Sequence, residues 1–109
     1  MTPSARSRTS AASPQAGRNP ILPCRARIPQ AVVFRSFANE TVVLNLDTGI
    51  YHGLNPTGGS MLETLDRVGS VQDAANLLAC EYEQSLEDIE RDLCEFCQAL
   101  ADRGLLVLD

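Results

Sequence analysis

Hydrophobic positions change their spacing once, near the middle of the chain. Before residue 55 they alternate or gather in short β-branched runs; after it they recur at three- and four-residue intervals. The run IPQAVVFRSF, residues 28–37, predicts a first strand over 31–37. Ala38-Asn39-Glu40 turns the chain, and a second strand follows over 41–46. There Val42, Leu44 and Leu46 share one face, with Val43 and Asn45 on the other. Asp47-Thr48-Gly49 fits a three-residue hairpin loop, with Gly49 in the left-handed position that closes a type I turn and G1 bulge. Residues 50–54, IYHGL, are then the third strand.

That strand stops at Asn55-Pro56, a strong N-cap followed by a residue pre-organised for the first helical position. Met61, Leu62, Leu65 and Val68 mark the inner face of a first helix, which Gly69 ends. Ser70 opens a second helix, with Asp73 completing a capping box and Val71, Ala74, Leu77 and Leu78 pointing inward. Ser85 and Asp88 repeat that signature before a longer third helix. Its stripe is Leu86, Ile89, Leu93, Phe96 and Leu100, and it ends at Arg103-Gly104. Leu105 to Leu108 form a short apolar end, a small strand or a strap over the core. Two capped helices joined by a brief turn resemble a helix-turn-helix, and a hairpin beside them resembles a wing. The expected fold is therefore α+β and winged-helix-like: a three-stranded antiparallel sheet followed by a three-helix bundle, spanning 28–109.

Composition narrows the function. With 109 residues the chain supports one small domain, and its apolar share of 44% is enough for a core. It leaves little room for a deep, water-excluding active site. Residues 1–27 are rich in Ser, Arg and Pro and read as a disordered tail. The Arg/Ser-rich, acid-free start also resembles an organelle transit peptide, but a solvated tail on a cytoplasmic protein is the simpler reading. No apolar h-region and no run of about 20 apolar residues is present. Residues 40–109 hold all fourteen acids against Arg67, Arg91 and Arg103, so three minus fourteen leaves −11. A folded part with that charge repels a phosphate backbone.

Candidate chemistry is sparse. The single histidine, His52, has no second His and no activated nucleophile nearby in sequence, which argues against a general base or a metal ligand. Cys94-Glu95-Phe96-Cys97 has the C-x-x-C spelling, and Cys80 is a conceivable third ligand. Zinc knuckles place that motif in a turn, and redox pairs place it at a helix N-terminus after a strand; here it falls in mid-helix. Buried, inert thiols on the flank of a core helix, with no cofactor, are the expectation. P-loop, nucleophile-elbow and zincin motifs are absent, so the chain is not expected to be an enzyme.

Four stretches carry a family resemblance: VVLNLDTGIYHGLNPTG, LETL, SVQDAANLLACEY and DIERDLCEFCQALADRGLL. In order and spacing they resemble the PqqD-like proteins. These peptide-binding domains are also called recognition elements of ribosomally made, post-translationally modified peptides (RiPP recognition elements). The resemblance covers nearly everything from residue 32 to 108. Members of the pyrroloquinoline quinone pathway usually lack the D-T-G hairpin with Y-x-x-L-N, so the chain resembles stand-alone members from lasso-peptide clusters more closely.

The resemblance implies a non-enzymatic chaperone. It would bind the leader of a precursor peptide and deliver it to a modifying enzyme or leader protease. The leader is expected to add as an antiparallel strand beside the 50–54 strand and to lie against the third helix, a β-augmentation. The implied contact residues are Ile50, Tyr51, His52, Gly53 and Leu54 on the strand and Asp88, Ile89, Asp92, Glu95 and Phe96 on the helix. Gly53 permits close approach of a second backbone, and the acids would steer a basic leader. The expected affinity is roughly micromolar to nanomolar. No nucleic acid or membrane partner is expected, and the chain is read as a monomer or a weak homodimer through its open edge. The rival readings are a winged-helix DNA-binding regulator and, more remotely, a metal or thiol enzyme built on Cys80, Cys94, Cys97 and His52.

Overall fold

The computed structural model describes residues 19–109. Its elements run β1 (Ala26–Arg27), β2 (Val32–Ser36), β3 (Thr41–Asn45), β4 (Ile50–Leu54), α1 (Pro56–Val68), α2 (Val71–Tyr82), α3 (Leu86–Asp102) and β5 (Val107–Leu108). The antiparallel sheet β2-β3-β4 leads into the three helices, as the spacing predicts. The caps are also as read. Asn55 Oδ1 accepts from Gly58 N, Ser70 Oγ from Asp73 N, and Ser85 Oγ from Asp88 N.

Several details differ. The folded unit begins upstream of residue 28, because Leu22 and Ala26 are buried in the core and β1 pairs with β5. Cys24 O accepts from Val71 N, and Ala26 N donates to Gly69 O, so this segment straps the α1–α2 junction. The expected tail over 1–18 lies outside the described residues. Strand β3 ends at Asn45, and Leu46 belongs to the turn. Its Asn45 side chain accepts from Asp47 N at 2.9 Å, and Gly49 takes φ +75°.

The inner face of the sheet is set by Val32, Phe34, Thr41 and Val43, so Val42 and Leu44 fall on the outer face. Register stacks Val33, Leu44 and Tyr51 in one row across the outer face, where Tyr51 is 69% exposed. All three helices lie on the other side. Thr41 is buried beneath α1, next to Gly59. Ser36 donates to Glu63 at 2.6 Å, which leaves the Ser36 oxygen to accept from Thr41 at 3.1 Å.

Helix phase explains two further corrections. On α2, Val71, Ala74, Ala75 and Leu78 are buried, which places Leu77 on the outer shoulder, 46% exposed. Leu86 is in phase with the α3 stripe but overhangs the core at the first turn, 42% exposed. Cys94 and Cys97 complete the inner face of α3 beside Ile89, Leu93 and Leu100. They are buried, as expected, and lie on the core face of the helix rather than on its flank.

Candidate functional site

The turn over residues 46–49 fixes how β4 presents its backbone. Gly49 N donates to Asn45 O at 2.8 Å, and Leu46 N donates across to Ala31 O. Asn45, Val43 and Thr41 therefore aim their peptide groups at β4, where their register partners are Ile50, His52 and Leu54. The peptide groups of Tyr51 and Gly53 point the other way, out of the sheet. Among the described residues β4 is an edge strand, and these groups have no ladder partner there. A side chain at Gly53 would meet only the flexible end of Glu40, with Oε2 at 2.9 Å.

On the helix-facing side, Ile50, His52 and Leu54 line a groove whose far wall is α3. Helix α3 packs mainly on α2 and β5 and makes few contacts with β4. Two observations set its direction. Phe96 and Leu54 both approach Gly58, each 3.4 Å from where its Cβ would lie. At the other end Arg103 and Leu105 join Ile50, His52, Asn45 and Thr48 around a cavity of about 250 Å³. Helix α3 thus runs antiparallel to β4, with Phe96 level with Leu54 and Arg103 level with Ile50.

At 100° per residue, Asp92, Phe96, Ala99 and Arg103 form the stripe of α3 that faces this groove. Asp88 and Glu95 are exposed at its rim, and Arg91 holds Asp88 at 3.3 Å and Asp92 at 3.5 Å. Ile89 is only 2% exposed and belongs to the core, so it offers no surface to a ligand. The structure therefore brings Ile50, His52 and Leu54 together with the Asp92 and Phe96 part of α3, whereas the Tyr51 side chain lies on the outer face of the sheet, and Tyr51 and Gly53 offer their peptide groups at the edge. The cavity residues Asn45, Thr48, Arg103 and Leu105 were not among the expected contacts. Only for Arg103 does the sequence hold a signal, its place seven residues after Phe96.

Other chemistry is muted. Among the described residues, no group of three His, Cys, Asp or Glu side chains is placed to hold a metal. Burial pushes the Cys94 thiol up to about 11, helped by the Glu90 carboxylate, and the Cys97 thiol up to about 12, helped by Cys94. Both stay protonated and unreactive at neutral pH. Iodoacetamide at pH 8 should therefore alkylate exposed Cys80 quickly and reach Cys94 and Cys97 only on unfolding, as peptide mass spectrometry would read. The unfolded chain releases these protons near 9, before the folded chain does, so their contribution is complete below pH 9 and is lost as pH rises toward 11 and 12.

Comparison with known proteins places this geometry. The family profile described as coenzyme PQQ synthesis protein D (PqqD) matches residues 40–106, from the start of the β3–β4 hairpin through α3. Among solved structures, TbiB1 in complex with the TbiA(β) leader peptide is 34% identical, with a TM-score of 0.69. That match covers 73% of this chain and 93% of TbiB1. A lasso peptide synthetase B1 complexed with the leader peptide is 26% identical, with a TM-score of 0.68. Here the match covers 76% of this chain and 98% of that protein. No curated protein matches the chain. No helix among the described residues is long and apolar enough to cross a membrane. The hairpin, the open β4 edge, the groove along α3 and these matches agree: the chain belongs to the PqqD family, on the side of its lasso-peptide B1 members.

Proposed function

We propose that the chain binds the leader segment of a ribosomally made precursor peptide by strand addition to β4. It would pass that peptide to a modifying enzyme or leader protease without itself performing chemistry. The carrying observation is the unpaired peptide groups of Tyr51 and Gly53, set beside the groove formed by β4 and α3. Main-chain hydrogen bonds from that edge supply affinity, and the groove supplies selection through alternate side chains. Both similar solved structures hold a leader peptide, which supports the same use here.

Use on DNA is disfavoured by charge. Helices α2 and α3 carry Asp73, Glu81, Glu87, Asp88, Glu90, Asp92, Glu95 and Asp102 against Arg91 alone. Such a surface faces phosphates with the wrong sign. Fluorescence anisotropy separates the two uses. A labelled leader from the precursor encoded beside the chain should saturate at micromolar or lower concentration. A labelled random duplex should show no binding at about 150 mM salt. Duplex binding without any response to the leader would sink the proposal.

A further inference from the structure

The α3 wall of the groove carries opposite charges at its two ends. Asp92 lies one turn before Phe96, and Arg103 lies two turns after it, on the same stripe. Arg103 lines the cavity at the Ile50 end, and among the described residues no acid lies within ion-pairing distance of it. Among the described residues Asp92 pairs with Arg91 alone, at 3.5 Å, an exposed and therefore weak pair. Because α3 runs antiparallel to β4, Asp92 sits beyond the Leu54 end and Arg103 sits at the Ile50 end.

A peptide added antiparallel to β4 enters at the Leu54 end and leaves at the Ile50 end. We infer that the groove selects leaders by charge order: a basic side chain facing Asp92, then an acidic side chain facing Arg103. This rests on the leader-binding reading and adds to it the chemical pattern of the peptide. The helix axis between Asp92 and Arg103 spans about 16 Å, which an extended strand covers in about five residues. Groove-facing residues of a strand recur every second position, so the basic and acidic residues stand about four or six apart. The selection is electrostatic and partly exposed. Each end should therefore contribute a few-fold in affinity, chiefly through association rate.

The test is an array of the leader encoded beside the chain, in which each position in turn is replaced by Lys or by Glu. Binding is read by anisotropy. One position should favour Lys over Glu by about three-fold, and a second, four or six residues later, should favour Glu over Lys by a similar factor. Asp92→Lys should invert only the first preference and Arg103→Glu only the second. About 0.5 M NaCl should flatten both. Circular dichroism on the two surface variants confirms that they fold. A leader that binds with no charge preference, or with the order reversed, overturns the inference and leaves leader binding standing. Failure of every peptide in the array to bind overturns leader binding itself.

Discussion

Replacing Gly53 with Pro should weaken leader binding by roughly ten- to a hundred-fold while leaving the domain folded. The peptide group of Gly53 faces out of the ladder, so Pro removes a donor that the sheet does not use. The incoming strand loses that donor and meets the pyrrolidine ring at the closest point of approach. An acceptor left unsatisfied on burial costs about 1–3 kcal/mol, which sets the size of the effect. The β3–β4 ladder runs through Ile50, His52 and Leu54 and survives. Gly53→Ala is the control: its methyl meets only the movable Glu40 carboxylate, so affinity should stay within about two-fold. Anisotropy beside circular dichroism reads both variants. A folded Pro variant that binds its leader normally would show that this edge is not where the strand adds.

The largest stability effect should come from Gly59→Ala, at a site remote in sequence from the strand it supports. A methyl there would overlap the Thr41 hydroxyl and sit 3.0 Å from Thr41 Cβ. Thr41 is 3% exposed, and its hydroxyl is committed to Ser36. Alanine ordinarily favours a helix interior over glycine by about 1 kcal/mol, so propensity alone predicts a gain. Overlap and a displaced buried hydroxyl should reverse that sign, for a net loss of about 2 kcal/mol. In a domain of about 5 kcal/mol that is a severe change. Thr41→Ala in the same background should restore part of it, giving a coupling that urea melts of both single variants and the double variant would measure. A Gly59→Ala protein as stable as the parent would mean that α1 shifts off β3 at little cost.

The parts of this molecule legible in its sequence are those decided by neighbours a few residues away. The Asn55-Pro56 helix start and the Ser70 and Ser85 caps act locally and appear where the spacing places them; Gly49 takes its expected left-handed φ, but the hairpin loop is one residue longer than expected because Leu46 joins it. Strand β1 was hidden because it has two residues, one of them Arg, and its partner lies eighty positions away at β5. Which face of β3 turns inward is not legible for another reason. Val42 and Leu44 are as apolar as Val43, and only the arrival of α1 and the other strands decides which side is buried. In the candidate site, the strand residues were legible from the hairpin. Arg103 is in phase with Phe96, but the cavity it lines depends on the direction of α3 past β4, which no local signal carries. Ile89 shows the converse, since a residue in phase with the stripe is covered by the core.

The short β1–β5 ribbon has a consequence for tethering. Ala26 and Leu108 are register partners, so β5 lies beside the C-terminal end of α1, where β1 straps the α1–α2 junction. Helix α1 has 13 residues, and its length separates that point from Leu54 by about 20 Å. An enzyme joined genetically after β5 would thus be anchored clear of the docking edge. A flexible linker of about a dozen residues, with a root-mean-square reach near 20 Å, would bring its active site over a bound peptide. Shorter linkers would hold it off, and much longer ones would dilute its effective concentration at the groove.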